Sequence, residues 1–154
     1  MLIIILTLFL GLMLSLIMLP LGYMAPEWIL LINIYWAMAL PSNKKMIMAF
    51  LSGFFVDIVF GQPLGISSLS YVIFIYLILS LYNSLRYMTV PQQMVVIFFL
   101  LFVKQHFFIW TFYMFCLNID YQTLIIGSLT TAALWPLIYF SLRFARRKWV
   151  INES

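Results

Sequence analysis

The sequence predicts an all-α membrane protein with six transmembrane helices. Of its 154 residues, 66% are hydrophobic and only 8% are charged, and the mean hydropathy is +1.14. A soluble domain carries roughly 25% charged residues, so this chain lacks the polar surface that contact with water requires. A helix needs about 20 apolar residues to cross a bilayer, and the chain therefore has room for five or six spans with short connections.

The first predicted span is residues 2–19, an unbroken apolar run without a charge. A signal peptide is the alternative interpretation, because signal peptides also begin with a hydrophobic segment. They have a basic start, an apolar core of about 7–15 residues and a small-residue cleavage site. Here the basic start and the cleavage site are missing and the apolar run is too long. We therefore interpret it as a retained span.

The second predicted span is residues 28–41, which follows a turn from Pro20 to Glu27. At 1.5 Å per residue it is short, about 20 Å. Trp28 at its start suits the aromatic belt of a membrane interface. Tyr35 and Trp36 lie further in and need hydrogen-bond partners or a neighbouring helix. Residues 42–45 are predicted to form a basic hairpin loop.

The third predicted span, residues 46–60, carries a carboxylate at Asp57. The surrounding stretch from Gly53 to Gly65, GFFVDIVFGQPLG, contains three glycines and a proline. Such a stretch is typical of a membrane helix that ends in a tight, closely packed turn. A charge in the hydrocarbon region costs between about 2.5 and 10 kcal/mol unless it finds a partner, water or a proton.

The remaining predicted spans are residues 69–82, 92–117 and 123–140, so that residues 1–142 form the membrane domain and residues 143–154 a basic cytoplasmic tail. Small residues at 127–133 favour close helix approach. We slightly prefer the interpretation that this segment packs within the chain over the interpretation that it docks onto a partner. Trp135 and Pro136 follow, and a proline at this position predicts a kink.

The positive residues indicate the topology of these spans. All but one of the eight Lys and Arg residues fall on one side of the predicted membrane. By the positive-inside rule, both termini are therefore cytoplasmic. The net charge of +4 does not indicate nucleic-acid binding, because helix-end positions explain it. The basic tail is interpreted first as a topology anchor and second as a contact for anionic lipid headgroups or a cytoplasmic protein.

Lys104 is the one basic residue placed deep in the membrane. Counted from the cytoplasmic helix ends, Lys104 and Asp57 each lie roughly 18–20 Å along their helices. A pair between them relieves both charges, so we predict a structural ion pair and rank a proton-binding or ligand-binding site second. Gln93, Lys104 and Thr111 share one face of the fifth helix.

The sequence offers no catalytic or metal-binding pattern. His106 is the only histidine, and a metal site needs two or three further donors, so a packing or hydrogen-bonding role is favoured. The single cysteine, Cys116, excludes an internal disulfide. Nucleotide-binding, zinc and serine-hydrolase signatures are missing. The prediction is a protein without enzymatic activity and without a cofactor.

Three segments together resemble the bacterial rod-shape-determining membrane protein family MreD. They are PEWILLINIYWAMALP (Pro26–Pro41), GFFVDIVFGQPLG (Gly53–Gly65) and ALWPLIYFSLRFARRKWV (Ala133–Val150). The resemblance covers nearly the whole chain. The positions that match the family are Pro26, Trp28, Tyr35, Trp36, Pro41, Gly53, Asp57, Gly61, Gly65, Trp135 and Pro136. The role that the resemblance implies for them is the architecture of a helix-docking surface.

The resemblance also implies a function. Members of the family are non-enzymatic scaffolds in the bacterial inner membrane that support lateral peptidoglycan synthesis and rod shape. Their implied partners are MreC and, through it, MreB, RodA and a class B penicillin-binding protein. The implied fold is a compact six-helix bundle similar to substrate-binding subunits of vitamin (ECF-type) transporters. That similarity keeps a small-molecule carrier subunit as the alternative, while an intramembrane enzyme is disfavoured.

Overall fold

The structure is a computed structural model that describes residues 2–42, 44–114 and 121–151, and all regular structure within these ranges is helical. The helices are α1 (Leu2–Ile17), a 3-10 helix (Leu19–Met24), α2 (Trp28–Ala39), α3 (Lys44–Phe60), α4 (Ile66–Ser80), α5 (Tyr82–Tyr87), α6 (Val90–Met114), α7 (Tyr121–Ala133) and α8 (Trp135–Ile151). The helices within these ranges and the apolar composition agree with the predicted all-α membrane protein.

Within the described ranges, two helical stretches are long and apolar enough to cross a membrane by themselves: Val90–Phe107 and Tyr121–Lys148. Three further apolar helices are shorter: Ile3–Ile17, Trp28–Ala39 and Ile66–Ser80. The number of six spans therefore stays a prediction.

Helix α2 lies at the centre of the bundle. Every residue from Trp28 to Ala37 is buried, because α1, α3, α4 and α8 pack around the helix. Two side-chain hydrogen bonds hold it in place. Trp36 Nε1 donates to Thr7 Oγ1 of α1 at 3.0 Å, and Asn33 Nδ2 donates to Ser52 Oγ of α3 at 2.8 Å. A helix surrounded by protein is apolar on all sides, which explains why α2 has no polar face in the sequence.

The predicted basic hairpin loop at residues 42–45 is shorter than expected, because α3 already begins at Lys44. The Ser42 hydroxyl accepts a hydrogen bond from the Lys44 amide at 3.3 Å, and the Ser42 carbonyl accepts one from the Lys45 amide at 2.9 Å. These contacts satisfy amides that the first turn of a helix leaves without partners. Both lysines therefore belong to the helix.

The connection between the fourth and fifth predicted spans contains a short helix, α5. Gln93 Nε2 donates to the carbonyls of Leu85 and Met88 at 3.1 and 3.2 Å. The same glutamine accepts a hydrogen bond of 3.2 Å from Nε1 of Trp135, which is fully buried. One side chain of α6 thus fixes the C-terminal end of α5 and the beginning of α8.

The helix of the sixth predicted span is interrupted at Leu134, between α7 and α8. Pro136 has no amide hydrogen with which to bond the carbonyl four residues earlier, which accounts for a break near the predicted kink. Beyond it, α8 continues to Ile151, so that the described part of the basic tail is helical.

The small-residue segment of α7 packs within the chain. Gly127, Ser128, Thr131 and Ala132 are buried, and the segment contacts α6 and the 3-10 helix. Thr130 Oγ1 donates to the Met24 carbonyl at 3.2 Å. Small side chains permit such close approach, and the intramolecular interpretation is the one that the structure shows.

Candidate functional site

Asp57 is a fully buried carboxylate in the last turn of α3, and it binds the beginning of α4. Its Oδ2 accepts a hydrogen bond from the Gly65 amide at 2.8 Å, and its Oδ1 accepts one from the Ser67 amide at 3.0 Å. The Ser68 hydroxyl donates to Oδ2 at 3.3 Å. A helix N-terminus carries unpaired amides and a partial positive charge. The carboxylate therefore has its partners in the backbone of the next helix.

Three glycines give the α3–α4 turn its shape. Gly61 and Gly65 have φ angles of +62° and +102°, in the region that side chains with a Cβ rarely adopt. Gly53 serves close approach: a Cβ there would lie 2.6 Å from Ser68 Cα and 2.8 Å from Ser68 N. The predicted tight, closely packed turn is thereby confirmed.

The predicted ion pair between Asp57 and Lys104 is wrong. Lys104 Nζ forms an ion pair with the Glu27 carboxylate, and the Asp57 carboxylate binds α4 instead. Equal depth in the membrane does not fix the direction in which a side chain points. The N-terminus of α4 is next to Asp57 in the chain and supplies several donors, so it takes the carboxylate.

Glu27 is the site residue that the sequence does not reveal, because it falls in the predicted turn before the second span. It directly precedes α2, and its amide donates to Thr131 Oγ1 of α7 at 3.2 Å. Its carboxylate pairs with Lys104 of α6 and lies close enough to Tyr71 of α4 for its charge to act on that hydroxyl. The Lys104 ammonium also lies 5.1 Å from the centre of the Tyr71 ring. One signal was available: Glu27 is one of only four acidic residues and lies beside an apolar span.

A cavity of about 310 Å³ lies beside this ion pair, near the N-terminal end of α2. Apolar side chains form much of its wall, and its polar lining includes Ser15, Glu27, Gln62, Ser67, Tyr71 and Lys104. The Ser67 hydroxyl donates to Gln62 Oε1 at 3.0 Å. Because the charges of Glu27 and Lys104 neutralise one another, the cavity presents hydrogen-bonding groups without a strong net charge.

The aromatic residues of the resemblance lie inside the bundle. Trp28, Tyr35, Trp36 and Trp135 are all buried. Trp28 therefore packs in the core, whereas the sequence predicts a place in the interfacial aromatic belt. Trp36 has the hydrogen-bond partner that it was expected to need, but the Tyr35 hydroxyl has none within the described residues.

The prolines of the resemblance mark helix ends. Pro26 is buried, lines the cavity and accepts a hydrogen bond of 3.0 Å from the Trp28 amide at its carbonyl. Pro41 is exposed just beyond α2, and Pro136 is the second residue of α8. Proline fits these positions because helix boundaries do not require its missing amide hydrogen.

His106 is an exposed residue of α6 that joins α6 to α7. Its Nδ1 lies 3.0 Å from the Phe102 carbonyl oxygen, and its Nε2 lies 2.9 Å from the Tyr121 hydroxyl oxygen. This is the hydrogen-bonding role that the sequence favours. Among the residues that the structure describes, no group of three His, Cys, Asp or Glu side chains could hold a metal ion.

Comparison with known proteins extends these observations. The family described as rod shape-determining protein MreD matches residues 1–145. A relative from Haemophilus influenzae, named rod shape-determining protein MreD, is 28% identical over 132 residues, which cover 84% of this chain and 81% of the relative. No solved structure matches the chain.

Proposed function

The chain belongs to the family of rod shape-determining proteins MreD, and from this membership we propose that it is a non-enzymatic scaffold of the bacterial cell-elongation complex. The observation that carries the proposal is the length of the family match, which includes all but the last nine residues. A role in rod-shape determination follows from the family.

The contacts of the charged groups between the helices support a scaffold. Asp57 binds backbone amides of α4, and Glu27 pairs with Lys104, so both carboxylates serve to fix neighbouring helices. The buried residues that match the family do not themselves contact a partner. They determine how the helices pack, and this packing shapes the docking surface. Gly53, for example, sets the distance between α3 and α4.

The outer surface of the bundle is apolar. Phe9 and Leu10 of α1 and Phe99 and Val103 of α6 are each more than half exposed. In a membrane such faces contact lipid or another helix, and helix association there depends on close packing. We propose that the membrane helix of the bitopic protein MreC packs against one of these apolar faces. Through MreC the protein then associates with MreB, RodA and a class B penicillin-binding protein.

The proposed topology has six spans in the cytoplasmic membrane and both termini in the cytoplasm. The spans are α1, α2, α3, α4, α6 and the joined α7 and α8. Arginines from α5 and α8 line one cavity with the C-terminal end of α2, at the opposite end of α2 from Glu27. Such a basic end is cytoplasmic by the positive-inside rule.

Depletion of this protein from its native rod-shaped cells tests the proposal. We expect rounded cells, in which newly inserted peptidoglycan is no longer restricted to the lateral wall. Plasmid-borne wild-type protein restores both properties, whereas a copy with Asp57→Ala, which loses its contacts to α4, restores them poorly. Depleted cells that keep rod shape and normal lateral wall synthesis would contradict the scaffold function.

A small-molecule carrier subunit is the second candidate, and the cavity beside Glu27 and Lys104 favours it. Its volume of about 310 Å³ lies at the lower limit of ligand pockets, which is about 300 Å³. If the protein is a carrier subunit, we expect a water-soluble vitamin at micromolar concentration to raise the melting temperature of the purified protein. We also expect an ATPase module to co-purify with it. A melting temperature that none of these vitamins changes would remove this candidate.

A further inference from the structure

A second cavity, of about 270 Å³, lies at the C-terminal end of α2. It brings together residues of α2, α5, α6 and α8, which are far apart in the chain. Its polar lining includes three arginines and three tyrosines: Arg86, Arg143, Arg146, Tyr35, Tyr82 and Tyr139. The sequence places these arginines on one side of the membrane but does not indicate that they share a cavity.

The positive charge of this cavity is not balanced by a carboxylate of the described residues. The carboxylates within those ranges belong to Asp57, which binds α4, and Glu27, which pairs with Lys104. Neither of them lines the cavity. Three guanidinium groups that face a common space repel one another, and a bound anion would relieve this repulsion.

The arginines retain most of their hydrogen-bonding capacity. Arg146 Nη1 lies 3.5 Å from the Ala39 carbonyl oxygen, and Arg143 Nη1 lies 3.5 Å from the Tyr139 hydroxyl oxygen. Both distances are at the outer limit of a hydrogen bond. Because each guanidinium has five N–H donors in a planar fork, several donors on each arginine are available to a ligand.

Tyr35 lines the cavity, and its hydroxyl is an unpartnered donor among the described residues. The residue is only 3% exposed, and its hydroxyl has no hydrogen-bond partner within the described part of the chain. The hydroxyl is close enough to Arg143 and Arg146 for their charges to act on it. A buried polar group without a partner costs about 1–3 kcal/mol. An anionic oxygen in the cavity would accept its proton in a hydrogen bond.

We propose that this cavity binds a phosphate group, carried either by an anionic lipid headgroup or by a soluble phosphate compound. Arginine forks match the spacing of phosphate oxygens and bind them through paired hydrogen bonds. Basic pockets between membrane helices at the cytoplasmic side bind lipid headgroups in this way. The site is separate from the MreC-binding function proposed above, and its test does not involve MreC.

The test measures the melting temperature of the purified full-length protein in a zwitterionic detergent. Short-chain phosphatidylglycerol, short-chain phosphatidylcholine and sodium phosphate are added in parallel series at equal ionic strength. The variants are R86Q, R143Q and Y35F, and R147Q is the matched control. Arg147 is an exposed arginine of the same helix that does not line the cavity. Each shift is measured against the variant's own melting temperature without ligand, so that differences in intrinsic stability cancel.

We expect phosphatidylglycerol to raise the melting temperature and phosphatidylcholine to leave it unchanged. Loss of one cavity arginine is expected to weaken apparent phosphatidylglycerol binding about fivefold. Y35F is also expected to weaken it, whereas R147Q should bind as the wild type does. A shift with phosphatidylglycerol alone assigns a lipid headgroup, and an equal shift with sodium phosphate assigns a soluble phosphate compound. The proposal is overturned if neither compound raises the melting temperature, or if R147Q weakens binding as much as R143Q.

Discussion

The carboxylate of Asp57 accepts a hydrogen bond of 2.8 Å from the backbone amide of Gly65, eight residues further along the chain. This bond, with a second one from the Ser67 amide, joins the end of α3 to the beginning of α4. It explains how a charged group is tolerated in an apolar helical hairpin: the charge lies at the positive end of a helix dipole and satisfies amides that would otherwise lack partners.

Asp57→Asn is expected to lower the free energy of unfolding by about 1–2 kcal/mol, the usual effect of losing a good helix cap. Asparagine keeps one acceptor oxygen, whereas Asp57→Ala leaves the amides of Gly65 and Ser67 unpaired and costs more. Unfolding in mixed micelles with increasing denaturing detergent measures both variants. Adding Lys104→Met to Asp57→Asn restores no stability, because Lys104 pairs with Glu27. Restoration by that second change would support the discarded Asp57–Lys104 pair.

Glu27→Gln is expected to destabilise the bundle by about 3–5 kcal/mol, because it leaves the buried Lys104 ammonium without its ion-pair partner. Lys104→Met is expected to cost less, because the Glu27 carboxylate that it leaves is only partly buried. The double variant should lose less than the sum of the two, since it contains neither charge. The same detergent titration of the wild type, both single variants and the double variant gives the coupling energy.

A control double-mutant cycle combines Glu27→Gln with Arg147→Gln in place of Lys104→Met. Arg147→Gln removes an exposed positive charge of α8. Its effect should add to that of Glu27→Gln, because groups without shared partners rarely couple. Strictly additive losses for Glu27→Gln and Lys104→Met would show that the two side chains do not pair.

Gly53→Ala is expected to cost about 1–3 kcal/mol through overpacking. Its Cβ would lie 2.6 Å from a backbone atom of Ser68, so α3 and α4 must separate. Gly11→Ala is a matched control, because its Cβ meets the flexible Cδ1 atom of Ile32 at the same distance. Both changes gain similar helix propensity, and the difference between their melting temperatures therefore isolates the backbone contact. A Gly53→Ala variant as stable as Gly11→Ala would refute the close approach.

The proposed topology predicts that two surface positions face opposite sides of the membrane. Leu64 lies in the α3–α4 turn and is 65% exposed, whereas Lys148 is exposed at the basic end of α8. In a background without Cys116, a membrane-impermeant thiol reagent added to intact cells should label Leu64→Cys and not Lys148→Cys. Lysis of the cells should make the second position reactive. Labelling of Lys148→Cys in intact cells would reverse the proposed orientation.

Much of the fold could be predicted from the sequence, because hydropathy and glycine positions act locally. The apolar segments coincide with helices, and the Gly53–Gly65 stretch forms the tight turn that its composition indicates. Short polar segments were less informative. Most of the short helix α5 lies in the polar segment 83–91. Gln93 bonds the carbonyls at the end of this helix, and this contact is not visible as a sequence pattern.

The candidate site was harder to predict, because the sequence gives depth along a helix but not direction around the bundle. The sequence places Asp57 and Lys104 at similar depth, but each binds a different element. The sequence assigns Glu27 to a connection, although the residue lies where α2, α4, α6 and α7 meet. The meeting of Arg86 with Arg143 and Arg146 likewise depends on how α5 and α8 pack against α2.

The most direct test of the proposed scaffold function is co-purification of MreC with this protein. The tagged chain is extracted from its native membrane in mild detergent, and its partners are quantified by mass spectrometry, with an unrelated tagged membrane protein of similar abundance as the control. We predict that MreC is recovered in near-stoichiometric amounts, together with lower amounts of the cell-wall synthases. Recovery of MreC at the level of the control, or of an ATPase transport module in its place, would contradict the scaffold function.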